Sequence, residues 1–171
     1  MRNLSLAALL ICVATAAAFA QKSFYSKEYK VGFKYPATAQ LSTKSDDLVV
    51  LTDSLKGIAK VEFKGTLRGL TGSSATIAAG ATTADACKAL SSPDDSPKSK
   101  RLGTITFTKT EEVEGGMETV MPQEFYRTYH DGTCYEVRLS IPQDKYPKRP
   151  YNDAAIFGQM YVVLTSMYFG K

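Results

Sequence analysis

The chain has 171 residues, a formal net charge of +4, three cysteines, one histidine and no tryptophan. So small a charge, with no motif interleaving basic and aromatic residues along a groove, excludes a nucleic-acid surface. Any triad, metal cluster or proton relay must run through His130 or do without histidine.

The opening MRNLSLAALLICVATAAAFA combines one Arg, an apolar run and Ala18-Phe19-Ala20 before Gln21. That pattern reads as a secretory signal over residues 1–20, cleaved to leave a single domain over 21–171. An uncleaved anchor is the competing reading, but the run is short for a spanning helix. Ile11 before Cys12 does not suit lipid attachment, which needs a small residue there. About 150 mature residues suffice to bury roughly 70% of the unfolded surface without a metal. Cleavage leaves Cys87 and Cys134 in a compartment that permits disulfides, so a bridge is the expectation and two buried thiols the alternative.

Ser23 to Tyr25 and Val31 to Tyr35 read as two strands, with Val31, Phe33 and Tyr35 on one face and Pro36 as the stop. Ala37 to Asp47 is polar and irregular. Leu48 to Leu51 is a brief apolar run suited to a strand covered on both sides, and a turn at Lys56-Gly57 leads into alternating Ile58 to Phe63, as a second hairpin. Thr76 and Ile77 favour a strand over Ser73 to Gly80. Thr83 suits a helix cap, with Asp85 in the first turn and Ala84, Cys87 and Leu90 at helical spacing. Ser91 to Arg101 reads as an exposed, mobile loop, Thr104 to Thr108 as a strand and Glu111 to Gly116 as a turn.

The strongest signal lies between Gln123 and Ile141, where two runs rich in Tyr, Phe, Thr and Val flank Asp131-Gly132, the dipeptide best suited to a two-residue type I′ turn. That turn pairs His130 with Thr133, Tyr129 with Cys134, Arg127 with Glu136 and Tyr126 with Val137. One face then carries Tyr126, Thr128, Tyr135, Val137, Leu139 and Ile141. The other carries Phe125, Arg127, Tyr129, Cys134, Glu136 and Arg138, with an opposite-charge pair and a cation-π contact. A bridged Cys134 requires cover on this second face too. Pro142 to Pro150 is a loop, and Asn152 or Asp153 caps a last helix with Ile156, Met160 and Val163 on one stripe. Gly158 and the β-branched Val162, Val163 and Thr165 leave a strand open for Tyr161 to Thr165.

These elements describe an α+β fold, a mostly antiparallel β-sheet sandwiched between helices. YSKEYKVGFKYP, the helix bearing Cys87, YRTYHDGTCYEVRL and the terminal helix running into SMYF resemble the single-domain PsbP-like group, over most of Phe24 to Phe169. The resemblance implies the α/β/α sandwich shared with the extrinsic PsbP subunit of photosystem II and the Ran-binding Mog proteins. It carries over no binding residue, and Ala39 stands where such proteins often have Trp.

No phosphate-loop, dinucleotide or nucleophile-elbow motif stands in strand-turn-helix context, and no cofactor is called for. The Asp and Glu groups lack calcium-loop spacing and read as solvated turns. His130 and Asp131, as neighbours at a strand end, are expected to point apart, and Cys134 suits a disulfide better than a nucleophile. Lys145, Tyr146, Lys148, Arg149 and Tyr151 form the best contact surface for an anionic polymer or headgroup, against the alternative of an ordinary basic loop. The functional expectation is an exported, non-enzymatic binding or accessory module for a protein, lipid or polysaccharide, with no transmembrane segment after cleavage. A hydrolase using carboxylates or tyrosines from distant loops is the alternative.

Overall fold

In a computed structural model, residues 20–48, 54–90, 96–147 and 150–171 are described. Strand β1 (Gln21–Ser26) pairs with β2 (Val31–Pro36) in the expected N-terminal hairpin. The last strand, β11 (Tyr168–Phe169), returns to the other side of β2 and completes a three-stranded antiparallel sheet. Alternation buries Val31, Phe33 and Tyr35 of β2, as expected.

The larger sheet is also antiparallel. It contains β3 (Gln40–Ser42), β4 (Lys56–Glu62), β5 (Ser74–Ala81), β6 (Lys98–Leu102), β7 (Ile105–Gly115), β8 (Thr119–His130) and β9 (Thr133–Ser140), in the order β3-β4-β5-β9-β8-β7-β6. A two-residue strand, β10 (Gln143–Asp144), pairs with β8 beyond the end of β9. The β8-β9 register is the expected one at every pair from His130↔Thr133 to Phe125↔Arg138. Both turn residues have positive φ, 45° at Asp131 and 78° at Gly132, as a type I′ turn demands.

Several expectations are corrected. Lys56-Gly57 begins β4 instead of turning into it, and β4 pairs with β3 and β5, while Leu48 of the Leu48 to Leu51 run lies against Gly57. Residues 49–51 of that run lie outside the described residues. Lys98–Leu102 is an edge strand where an exposed loop was expected, and residues 91–95 are outside the description. Glu111–Gly115 continues β7 instead of turning, because β8 supplies a partner for each of its residues.

Two helices lie against opposite faces of the larger sheet. Helix α1 (Ala84–Ala89) starts at Thr83, whose Oγ1 accepts a hydrogen bond from the Ala86 N–H at 3.2 Å. Its buried residue, Cys87, is disulfide-bonded to Cys134 of β9 with Cα atoms 5.4 Å apart. Ala78 and Leu55 pack beside the bridge. A Cβ at Gly80 would stand 2.2 Å from the Ser54 carbonyl oxygen, so glycine there lets the backbone before β4 cross the sheet.

Helix α2 (Asp153–Thr165) is capped by Asn152, whose Oδ1 accepts from the Ala155 N–H at 3.0 Å. Tyr161 to Thr165 is therefore helical. Ile156, Met160, Val163 and Leu164 are fully buried among Val31, Ile77, Tyr126, Val137 and Leu139. Each large apolar side chain so placed contributes ~1.5–3 kcal/mol. Ser166 Oγ accepts from the Lys34 N–H at 2.8 Å, and the Tyr135 hydroxyl donates to the Tyr29 carbonyl at 2.7 Å, so both sheets are tied to one core.

Candidate functional site: a polar sheet face

Paired residues in an antiparallel ladder share a face. Opposite α2, one row across the larger sheet therefore reads Lys60, Thr76, Arg138, Phe125 and Thr110. The next reads Glu62, Ser74, Ser140, Gln123 and Glu112. Helix α1 has only six residues and lies at the Cys134 end of this face, so its cover is partial among the described residues. Beyond it, these rows form a cavity of about 340 Å³ lined by Lys60, Ser74, Thr76, Arg138 and Ser140, with Asp47, Glu114, Met121 and Pro142 around them.

Ser74, Thr76 and Ser140 are largely buried residues that line the cavity, with no side-chain hydrogen bond to another described residue. Beside Ser140, Gln123 is 2% exposed and donates from Nε2 to Glu114 Oε2 at 2.8 Å, while its Oε1 is buried with no partner among the described residues. Native proteins satisfy almost all such groups, and each exception calls for a ligand, a water or a stored cost. Lys60 is ion-paired with Glu62 at 2.9 Å. Burial lowers the Arg138 pKa, opposed by the charges of Glu136, Glu114 and Glu112. The arrangement offers donors, acceptors and both signs of charge to a polar molecule.

The row nearer α1 is occupied from within. Arg127 Nε donates to Glu136 Oε2 at 2.7 Å, and the guanidinium also lies 5.3 Å from the Phe125 ring centroid, so the expected charge pair and cation-π contact both form. On the opposite face, Glu124 accepts from the Tyr126 hydroxyl at 2.9 Å, the Tyr161 hydroxyl at 3.0 Å and the Lys109 ammonium. Burial raises both phenol pKa values, with the Tyr126–Tyr161 hydrogen bond and the Glu124 charge adding to the rise at Tyr126. Burial pulls the Lys109 ammonium down, but hydrogen bonds to Glu111 and Glu124 outweigh it and leave the pKa raised. A carboxylate held by three donors, beside phenols that resist ionisation, joins α2 to β8 and supplies neither a nucleophile nor a base.

His130 and Asp131 do not point apart: Nε2 and Oδ2 are 3.4 Å from each other on the exposed turn, and the imidazole stacks on Phe169 at 4.3 Å. Of the basic loop, Lys145 and Tyr146 are exposed, whereas Lys148 and Arg149 lie outside the described residues. Tyr151 is half-buried. Its ring packs on the core beneath Arg68, 4.3 Å from the guanidinium carbon, and its hydroxyl donates to Asp144 Oδ2 at 3.2 Å. Among the described residues no three His, Cys, Asp or Glu side chains gather to hold a metal, and no helix is long and apolar enough to cross a membrane. Sequence reading missed the cavity because its residues come from separate strands and occupy alternating polar positions, the pattern of a solvent-facing side.

No protein-family model matches the chain, and no curated protein matches it in sequence. Solved structures do resemble it in fold. A crystal structure of a protein from Bacteroides thetaiotaomicron VPI-5482 superposes with a TM-score of 0.58 at 14% identity over 88% of this chain, which spans about half (48%) of that one. The cyanobacterial PsbP of Synechocystis sp. PCC 6803 gives 0.49 at 11% identity, covering 87% of this chain and 92% of its own. The Saccharomyces cerevisiae Ran-binding protein Mog1p gives 0.48 at 9% identity, covering 88% and 95%. At identities this low the likeness is one of chain path alone.

Proposed function

We propose that the chain is an exported, non-catalytic binding module that holds a small polar ligand on the polar face of its larger sheet. The observation that carries this reading is the buried, unpartnered Oε1 of Gln123 beside a cavity lined by Ser74, Thr76, Ser140, Lys60 and Arg138. A ligand with a donor of its own would remove the cost of leaving that oxygen unpaired, and the hydroxyls would orient the rest of it. Placement of α1 and α2 on opposite faces supports the sandwich architecture, and the Cys87–Cys134 bridge with the apolar N-terminal run supports export.

Native mass spectrometry of protein purified from its own source tests the binding reading. The expected result is a retained small molecule, released on denaturation and absent from Thr76→Val/Arg138→Met. A ligand-free wild-type spectrum, with no thermal stabilisation by sugars, amino acids or organic acids, would overturn it. The export reading expects a mature protein beginning at Gln21 outside the cytoplasm; N-terminal sequencing that begins at Met1 would contradict it.

A further inference from the structure

The positive charge of this protein is concentrated away from the cavity. Of 21 basic and 17 acidic side chains in the chain, residues 20–37 and 166–171 contribute five lysines and one glutamate, which leaves sixteen of each elsewhere. Those segments build the sheet β1-β2-β11, and Lys22, Lys27, Lys30, Lys34 and Lys171 are all exposed. The one acid, Glu28, has Lys56 at 3.7 Å.

On the outer face of this sheet Tyr25, Gly32 and Tyr168 form one row. A Cβ at Gly32 would lie 2.4 Å from the Tyr168 ring, and one at Gly170 would lie 2.2 Å from the Tyr25 hydroxyl, so both side chains lie down against glycine backbone. The rings are near-parallel, 9° apart with centroids 6.1 Å from each other, and the two residues are 41% and 47% exposed. Two flattened aromatic faces on a lysine-rich sheet, with Lys34 on the same face of β2 as Gly32, match a partner that has flat apolar faces of its own and a carboxylate on each unit.

We infer that this face binds an acidic polysaccharide, a polymer of uronic-acid type, with sugar rings stacked on Tyr25 and Tyr168 and carboxylates paired with lysines of the same sheet and its turn. An anionic bilayer fits less well, because rings lying on the backbone do not reach into a hydrocarbon layer. Nucleic acid fits less well too, since the segments hold no arginine, the side chain suited to bidentate phosphate contacts. The cavity takes no part, so this inference stands or falls apart from the function proposed above.

Affinity electrophoresis of the mature protein in gels containing polygalacturonate, set beside fully methyl-esterified pectin, tests it. The expected result is retardation by polygalacturonate alone. Tyr25→Ala/Tyr168→Ala should weaken it about tenfold and Tyr25→Phe/Tyr168→Phe should preserve it. Lys27→Gln/Lys30→Gln/Lys34→Gln, which alters only exposed side chains, should abolish it without moving the melting temperature. Absence of retardation, equal retardation of wild type and a folded double-alanine variant, or tighter binding to phosphatidylserine vesicles or single-stranded DNA would each overturn the inference.

Discussion

Arg127 and Glu136 face one another across the central strands, Nε to Oε2 at 2.7 Å, with side chains only 6% and 4% exposed. Removing one member leaves a buried charge without its counterpart, which typically costs ~3–5 kcal/mol, whereas replacing both with apolar groups is often neutral. Glu136→Leu is therefore expected to be strongly destabilising and Arg127→Met/Glu136→Leu much less so. Urea unfolding of both checks this; a double variant no more stable than the single would contradict it.

The Cys87–Cys134 link closes a separation of 47 residues. In the chain-entropy account such a loop stabilises by about 4 kcal/mol. Cys87→Ala/Cys134→Ala should lose most of that in denaturant titration. A loss below about 1 kcal/mol would show that the unfolded chain is little constrained by the bridge.

Stability should decline above about pH 10. Tyr126, Tyr161 and Lys109 all have raised pKa values in the folded protein, so the native state keeps protons that the unfolded chain releases. Their contribution is whole below the ordinary tyrosine and lysine values and is lost as pH rises through the folded ones. Tyr161→Phe removes one donor to Glu124 and is expected to cost ~1–2 kcal/mol at neutral pH while making the alkaline decline shallower. An unchanged alkaline slope would remove the Glu124 cluster from the explanation.

Two glycines should respond to alanine in opposite directions. Gly80→Ala sets a Cβ against the Ser54 carbonyl, a backbone atom that cannot rotate away, and should destabilise by ~1–3 kcal/mol. Gly158 is exposed within α2 with nothing near its Cβ position, so Gly158→Ala should stabilise by ~0.5–1 kcal/mol. Melting temperatures of the pair give the signs directly.

What could be read in the sequence was whatever depends on near neighbours. Asp131-Gly132 and the alternation around it determine a register, and Thr83 and Asn152 announce helix starts, because turn and cap chemistry act over two or three residues. Residues 98–102 and 111–115 escaped notice since KSKRL and EEVEG lack an apolar face; their pairing comes from the neighbouring strand. The cavity and the tyrosine pair lay deeper still. Lys60, Thr76 and Arg138 come together only once β4, β5 and β9 are aligned, and Tyr25 meets Tyr168 only because the chain end returns to β2.

Strand β6 forms one border of the larger sheet, and three of its five residues are Lys98, Lys100 and Arg101. A second molecule pairing there in the antiparallel, border-to-border manner of a growing fibril would bring cation against cation. Among the described residues that border carries no further strand, and its lysine and arginine side chains oppose the addition of another copy of the chain there.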